Sequence, residues 1–204
     1  MAKSIVSRSV TLEFVDEHHP LRADVETYVK NRYSVAFDAR LQQFMPVFLV
    51  LMSGSEVVSA CGYRVANQEP LFLEQYLDES AEKAIGRLFE TDIDRAQLIE
   101  FGQLASFSKG LSAQHFLQMT RHMVAMGYAW CIFTATDPLY AMMRRLGLAP
   151  QVIVEADADK VINAHAWGRY YQYQPRIMAG DLRQGLLHLE ALFRDDSMQK
   201  VQTQ

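Results

Sequence analysis

The pattern of apolar and polar positions predicts strands and helices that alternate along most of the chain. Short runs that are continuously apolar, or that alternate apolar with polar residues, are typical of strands, whereas apolar residues three or four positions apart are typical of amphipathic helices. The predicted strands span residues 10–15, 47–52, 56–66, 98–105, 128–136 and 151–155. The predicted helices span residues 20–37, 79–89 with Asp78 as its cap, 112–126, 138–148 and 182–193. This order predicts an α/β protein with a central mixed β-sheet flanked by helices.

Two segments fit more than one structure. Residues 71–77 are apolar apart from three consecutive polar positions, and they fit either a strand or a lid segment. Residues 163–174 hold the aromatic cluster Trp167–Tyr173, which either covers the sheet as a late strand or grips a substrate. Because no repeat, low-complexity tract or flexible linker divides the chain, we expect a single domain over residues 1–204, with a frayed polar tail from about residue 194.

Composition and charge narrow the class of protein. Half of the residues are hydrophobic and 22% are charged, which is typical of a soluble globular protein, and a net charge of −4 argues against a nucleic-acid binder. Residues 1–9 lack the apolar segment of a secretory signal, and the run Val47–Met52 is too short to span a bilayer. Cys61 and Cys131 lie in apolar runs without metal-ligand spacing. We therefore expect a cytoplasmic protein with reduced core thiols and no metal site.

A turn with the composition of a phosphate site separates a predicted strand from a predicted helix. It spans residues 106–112, where Lys109 adds positive charge, Gly110 allows close backbone approach, and Leu111 leads to Ser112, which can cap the helix. A helix N-terminus with free turn N–H groups favours a bound phosphate or pyrophosphate. An ordinary capped turn would contain the same residue types. The interpretation as a phosphate site therefore depends on the position of this turn between a strand and a helix.

Glu100 is the candidate catalytic residue. It lies mid-strand between Ile99 and Phe101, and a carboxylate on an apolar strand is costly unless it is paired or lines a cleft. As a general base it could take the proton of an amine that attacks a thioester. The alternative interpretation is a structural partner for one of the arginines.

The succession of strand, glycine turn, helix, strand and short helix ending in Leu-Gly-Leu resembles the acyl-CoA-binding half of the GNAT N-acyltransferases. More specifically, the chain resembles the thermostable hemolysin family of proteobacteria, a resemblance carried by four blocks: Pro70–Asp78, Ile99–Ala105, Phe133–Thr136 with Arg145–Leu148, and Trp167–Tyr171. It is also similar to the acyl-homoserine lactone synthases, which place a glutamate on the same strand. The resemblance implies a GNAT-like fold.

The same resemblance implies an acyltransferase-like enzyme. It would move an acyl group from a pantetheine thioester, either an acyl-CoA or an acyl carrier protein, to a small-molecule amine, with the thioester as co-substrate and no tightly bound cofactor. Backbone N–H groups of Leu104 and Ala105 would polarise the thioester carbonyl, and the turn from Lys109 to Ser112 would hold the pyrophosphate. The candidate substrate-binding residues are Glu74, Gln75, Tyr76, Trp130 and Thr134.

The chain departs from the families it resembles at four positions in three motifs. The acetyltransferase loop reads Arg/Gln-x-x-Gly-x-Gly/Ala, whereas this chain has Phe107 at the first position and Ser112 at the last. Met143 stands where acetyltransferases carry the tyrosine that protonates the leaving thiolate. Autoinducer synthases have an arginine three residues after the glutamate, where this chain has Gln103.

Two other functions stay open, and two residue groups have more than one interpretation. The helix stripe Leu182, Leu186, Leu189 and Phe193 fits a membrane-active protein without catalysis, although core or dimer packing explains it more simply. An acyl-CoA-binding protein that is not an enzyme is the other alternative.

His115 and His122 lie on one side of a helix and fit a metal or catalytic pair less well than solvent-facing positions. The residues that line an acyl-chain tunnel or belong to the core are Met119, Met123, Met126, Met142, Met143, Trp130 and Phe133.

Overall fold

Seven strands form one mixed sheet in the computed structural model, which describes residues 10–107 and 111–202, the last eight of these by backbone only. The strands are β1 Thr11–Val15, β2 Val47–Ser53, β3 Glu56–Val65, β4 Leu98–Ser106, β5 Trp130–Ala135, β6 Gln151–Glu155 and β7 Arg176–Asp181. The helices are α1 Arg22–Phe37, α2 Ala81–Phe89, α3 Ser112–Ala125, α4 Asp137–Arg145 and α5 Leu182–Gln202. The strand order is β1-β2-β3-β4-β5-β7-β6, with β4 and β5 parallel and the other neighbours antiparallel. The predicted α/β class with a helix-flanked mixed sheet is confirmed.

The sheet is buried on both faces, which explains the continuous apolar run of β2. Alternate side chains of a strand point to opposite faces. Leu49 of β2 packs in the cluster that includes residues of α3 and α5, whereas Phe48 and Val50 pack with the buried residues of α1. A strand covered by helices on both faces needs apolar residues at every position.

The apolar stripe of α5 belongs to this core. Leu182 and Leu189 are buried, and Leu186 and Phe193 pack against the same cluster. The helix continues to Gln202, beyond the predicted end at Phe193. Among the helices of residues 10–107 and 111–202, none combines the length and the apolar character needed to cross a membrane.

The two segments that fitted more than one structure both form 3-10 helical turns. Residues Phe72–Tyr76 form one such turn, and Ala164–Trp167 and Tyr170–Tyr173 form two more, so the strand interpretation is wrong for both segments. The late strand is instead β7, which directly follows the aromatic cluster and which the sequence pattern did not predict. Its position is determined by pairing with β5 and β6.

The start of α2 also differs from the prediction. The helix begins at Ala81, and its first N–H donates to the carboxylate of Glu74 at 3.0 Å, so Asp78 is not its cap. Asp78 is exposed and pairs with Lys160 at 3.2 Å. A carboxylate from the preceding 3-10 turn therefore stabilises the positive end of this helix.

Candidate active site

The parallel strands β4 and β5 separate at the centre of the sheet. Their pairing ends at Phe101 and Phe133, although β4 continues to Ser106 and β5 to Ala135. A cavity of about 1010 Å³ opens beside this separation, and residues of both strands line it. Small-molecule sites typically have volumes of roughly 300 to 1,000 Å³. The separation is therefore the natural place for a ligand to reach the middle of the sheet.

A bulge in β4 changes the direction of the strand at the same place. Ala60 pairs with Ala105 and Gly62 with Gly102, so β4 has one residue more than β3 in this interval. Gln103 takes a backbone φ of +53°, which is uncommon for a residue with a side chain. Its side-chain oxygen accepts a hydrogen bond from the N–H of Met45 at 3.0 Å, and its side-chain nitrogen donates to the carbonyl of Gln43 at 2.8 Å. These two hydrogen bonds from the bulge residue hold the segment before β2 in place beside the cavity.

Glu100 lies on β4 just before the separation. Its side chain is only 2% exposed and lines the cavity, and its Oε2 accepts a hydrogen bond from the backbone N–H of Leu73 at 3.1 Å. Burial raises the pKa of Glu100 to about 7, against the opposing effects of the Arg64 guanidinium and the Leu73 N–H. A carboxyl group with a pKa near neutrality can accept and release a proton during turnover.

Arg64 of β3 lies directly across from Glu100 in the strand register. Its Nε is 4.0 Å from Glu100 Oε1 and is buried without a hydrogen-bond partner. Its Nη1 donates to the carbonyl of Pro70 at 3.3 Å and lies 3.4 Å from the carboxylate of Glu69, and its Nη2 lies 3.3 Å from the sulfur of Met45. The two interpretations of Glu100 are therefore compatible, because the carboxylate has an arginine neighbour and also lines the cavity.

Tyrosine hydroxyl groups lie on another part of the cavity wall. The hydroxyl oxygens of Tyr76 and Tyr171 are 2.7 Å apart. Burial is the main cause that raises the pKa of Tyr76, and the neighbouring Tyr171 and the charge of Glu100 raise it further. Burial also raises the pKa of Tyr170, whose hydroxyl group interacts with Thr134 of β5. These phenols stay protonated at neutral pH and can donate hydrogen bonds to a bound substrate. Tyr76 and Thr134, two of the predicted substrate-binding residues, line the cavity, and their contact with a substrate stays a prediction.

Arg32 marks the end of the cavity near the turn. Its Nε donates to the carbonyl of Ser106 at 2.9 Å, and its guanidinium lies 5.5 Å from the ring centre of Phe107. Ser112 lines the cavity, but it is the first helical residue and not the cap, which is Leu111, without a side-chain capping bond. Lys109 and Gly110 lie outside the described residues.

The predicted carbonyl-polarising pair lies on β4 beyond Phe101. Leu104 lines the cavity, whereas Ala105 is buried and pairs with Ala60 of β3.

The structure does not bring three of the predicted substrate-binding residues to the cavity. The carboxylate of Glu74 accepts a hydrogen bond from the Arg95 guanidinium at 2.6 Å and further hydrogen bonds from the N–H groups of Leu71 and Ala81. The hydrogen bond from Arg95 is the main cause of the lowered pKa of Glu74. Gln75 is exposed and donates to the carbonyl of Phe72 at 3.0 Å. The ring of Trp130 packs on Phe89 with centres 5.0 Å apart. These contacts explain the three residues as parts of the fold.

The far side of the cavity is apolar. Met119 of α3, Met142 and Met143 of α4, and Phe133 of β5 all line it. Met123 is instead fully buried in the core, and Met126 is half-exposed away from the cavity. Thioether side chains adapt to flexible alkyl groups.

His115 and His122 do not form a pair. His115 is fully buried, so the expectation of a solvent-facing position is wrong for it. His122 is exposed and packs on Phe14 with ring centres 4.2 Å apart. In the described part of the chain, no three His, Cys, Asp or Glu side chains lie together as a metal site requires.

The sequence-based hypothesis missed Arg64, Met45 and Tyr170 as individual site residues. Arg64 interrupts an apolar run of β3, but this signal does not assign it to the site, because that depends on which strand pairs with β3. Tyr170 appeared only within the aromatic cluster. A polar residue that interrupts an apolar strand was the one available signal, and it applies to Arg64 as well as to Glu100.

The chain matches a family model described as "Thermostable hemolysin" over residues 15–186. No curated protein matches it.

Solved structures with the same fold include two synthases and a condensation domain. The CoA-dependent acyl-homoserine lactone synthase BjaI, with SAM and isopentyl-CoA, has a TM-score of 0.62 at 12% identity, covering 90% of this chain and 89% of that chain. FeeM, an N-acyl amino acid synthase from uncultured soil microbes, has a TM-score of 0.57 at 13% identity, covering 88% and 94%. The C-terminal condensation domain of Ebony, in complex with beta-alanyl-dopamine, has a TM-score of 0.53 at 11% identity, covering 85% and 100%. At these identities the comparisons establish the fold.

Proposed function

We propose that this chain, which belongs to the thermostable hemolysin family, is an acyltransferase. It would move an acyl group from a pantetheine thioester to an amine. The observation that carries the proposal is the position of Glu100, which is buried on β4 immediately before that strand leaves β5. A base beside an opening in the sheet suits a reaction between two substrates that enter from different sides. BjaI and FeeM, which share the fold, are described as a CoA-dependent acyl-homoserine lactone synthase and an N-acyl amino acid synthase, and these descriptions add support.

The thioester would lie along β4 beyond Phe101, where β5 no longer pairs with it. Backbone N–H groups near Leu104 and Ala105 would polarise the carbonyl, since preorganised donors stabilise the negative charge that develops on its oxygen. The acyl chain would extend toward Met119, Met142 and Met143 on the apolar side. The phosphate groups would lie toward Ser112 and Arg32, at the end of the cavity that carries this cation.

Glu100 would act on the acceptor. The amine nitrogen attacks the carbonyl carbon, a C–N bond forms, and Glu100 takes a proton from the nitrogen. The C–S bond then breaks, its electron pair leaves with sulfur, and the sulfur gains a proton as the free thiol. One proton thus moves from nitrogen to sulfur overall. Met143 provides no acid, so we assign the return of this proton to Glu100, which has just taken one from the nitrogen.

A direct lytic function receives less support. The stripe of α5 that would contact a bilayer packs in the core through Leu182 and Leu189. A membrane effect would then come from an amphiphilic acylated product.

The test combines donor binding with product analysis. We expect calorimetry to detect binding of CoA and of a long-chain acyl-CoA, and mass spectrometry to detect an amide after an amine is added. Binding without thiol release in any mixture would indicate a thioester-binding protein that is not an enzyme. If neither CoA compound binds, an acyl carrier protein becomes the donor to test, and failure of this donor as well would refute the proposal.

A further inference from the structure

We infer that the acceptor is a primary amine with no carboxylate and with an apolar body, best an aromatic one. The inference rests on the proposed function and deepens it by naming the acceptor class. It follows from the charges and rings that surround Glu100.

Among the described residues, no unengaged cation lies beside Glu100 for an acceptor carboxylate. In the described part of the chain, the arginines that line the cavity are Arg32 and Arg64, and lysine is absent from its wall. Arg32 is bonded to Ser106 at the other end. Both terminal nitrogens of Arg64 are engaged, and its Nε faces Glu100 at 4.0 Å. His165 and His188 also line the cavity but are exposed, so solvent screens them.

A second carboxylate at Glu100 would also oppose the chemistry. A carboxylate that reached Arg64 Nε would lie within a few ångströms of Glu100 Oε1, because these two atoms are 4.0 Å apart. Like charges at this distance raise the pKa of a carboxyl group. Glu100 would then stay protonated and could not take the proton of the amine. An acceptor ammonium group has the opposite effect on binding, since it favours the ionised carboxylate, and it releases one proton to solvent before the neutral amine attacks.

The wall that continues from Glu100 is aromatic. The turn whose Leu73 N–H binds Glu100 also carries Phe72, and the ring centre of Phe72 lies 6.0 Å from that of Trp167. Trp167 lies 5.6 Å from Tyr170, which in turn lies 5.0 Å from Phe37, and all four rings line the cavity. Aromatic faces attract cations and pack with other rings. An arylalkylamine presents both groups to this wall.

The experiment compares two acceptors that differ only in the carboxylate. Phenethylamine and phenylalanine are each supplied with decanoyl-CoA, and amide formation is measured by mass spectrometry. We expect kcat/KM for phenethylamine to be at least about tenfold higher, as for an ionised group that enters a buried site without a partner. Equal or faster acylation of phenylalanine overturns the inference and leaves the proposed function intact. An absence of both amides, with the thioester still bound, also overturns the inference, whereas failure to bind both the CoA thioester and the acyl carrier protein thioester refutes the proposed function itself.

A binding measurement tests the charge argument without turnover. The chain has two tryptophans, so Trp130→Phe leaves Trp167 as the only indole, and its fluorescence reports on the aromatic wall. With a thioester analogue bound, we expect phenethylamine to change this fluorescence at concentrations where phenylalanine does not. Adding Glu100→Gln removes the negative charge, so the preference for phenethylamine should fall at least severalfold. An unchanged preference in this variant would contradict the assigned role of Glu100.

Discussion

The hydroxyl of Ser59 and the imidazole of His115 form a fully buried hydrogen-bonded pair, with Oγ and Nδ1 2.7 Å apart. The other ring nitrogen of His115 lies 3.2 Å from the carbonyl of Leu49, which can only accept. Nε2 therefore carries the ring proton, and Nδ1 accepts the hydroxyl hydrogen of Ser59. The neutral ring thus joins α3 to strands β2 and β3.

The first prediction concerns the pH dependence that follows from this burial. Burial lowers the pKa of His115 from 6.5 to about 4, partly opposed by the Leu49 carbonyl. The unfolded chain then binds more protons than the folded one between these values, so this group's contribution to stability is lost as the pH falls from 6.5 to about 4. It amounts to about 3 kcal/mol. We expect urea unfolding of His115→Gln to lack this loss, although the variant is less stable at neutral pH.

The raised pKa of Glu100 predicts the opposite dependence of stability on pH. Burial raises its pKa from 4.5 to about 7, so the folded chain binds more protons and stability is lost as the pH rises across this interval. Glu100→Gln should be more stable than the parent chain above pH 7 if it keeps the Leu73 hydrogen bond. Between pH 4.5 and 6.5 the effect of Glu100 on stability opposes that of His115. A variant that melts early at every pH would instead assign Glu100 a structural ion-pair role.

The catalytic role of Glu100 predicts a separate loss of rate. Glu100→Gln cannot accept the amine proton, so turnover should fall by roughly two to four orders of magnitude, with thioester binding nearly unchanged. In the parent enzyme kcat should rise with pH around an apparent pKa of about 7, as Glu100 ionises. Gln75→Glu, on the exposed face of the neighbouring turn, is the matched control and should retain the parental rate. Full turnover by Glu100→Gln would remove the assignment.

The apolar side of the cavity predicts control of acyl-chain length. Met142→Trp adds volume where we place the chain, so turnover with a long-chain acyl-CoA should fall about tenfold or more, while a short-chain donor is little affected. Met126→Trp, at a half-exposed position outside the cavity, serves as control. Equal effects of Met142→Trp on long and short donors would place the acyl chain elsewhere.

Two glycines beside Met45 predict unequal effects on stability. A Cβ at Gly62 would overlap the Cβ and Cγ of Met45, which are fixed near its backbone, whereas a Cβ at Gly102 would meet its terminal methyl group, which can turn away. Gly62→Ala should therefore lower the free energy of unfolding by about 1–3 kcal/mol, and Gly102→Ala by less. Denaturant unfolding of the two variants measures the difference. A larger loss for Gly102→Ala would mean that the Met45 side chain cannot rearrange.

Local sequence patterns predicted the parts of the site that one strand carries. Glu100 interrupts an apolar strand, so both the strand and the importance of the carboxylate were readable. Arg64 and Tyr170 reach the same cavity only through strand pairing and through the two late 3-10 turns, which local periodicity does not specify. The strand β7 was missed for the same reason, because its six residues alternate weakly and its pairing with β5 and β6 is not local. A polar residue in an apolar run suggested a functional role for Glu74, but the same pattern arises when the carboxylate binds the first N–H of the following helix.

The hydrogen bond from the Leu73 N–H to Glu100 makes one backbone amide a reporter of the catalytic cycle. An N–H group bonds more strongly to a carboxylate than to a neutral carboxyl group. When Glu100 holds the amine proton, this bond weakens, and the turn that carries Phe72 and Tyr76 is held less firmly. The amide nitrogen resonance of Leu73 should therefore titrate with the side chain of Glu100, and the turn would be held least firmly after Glu100 takes the amine proton and before the sulfur receives it.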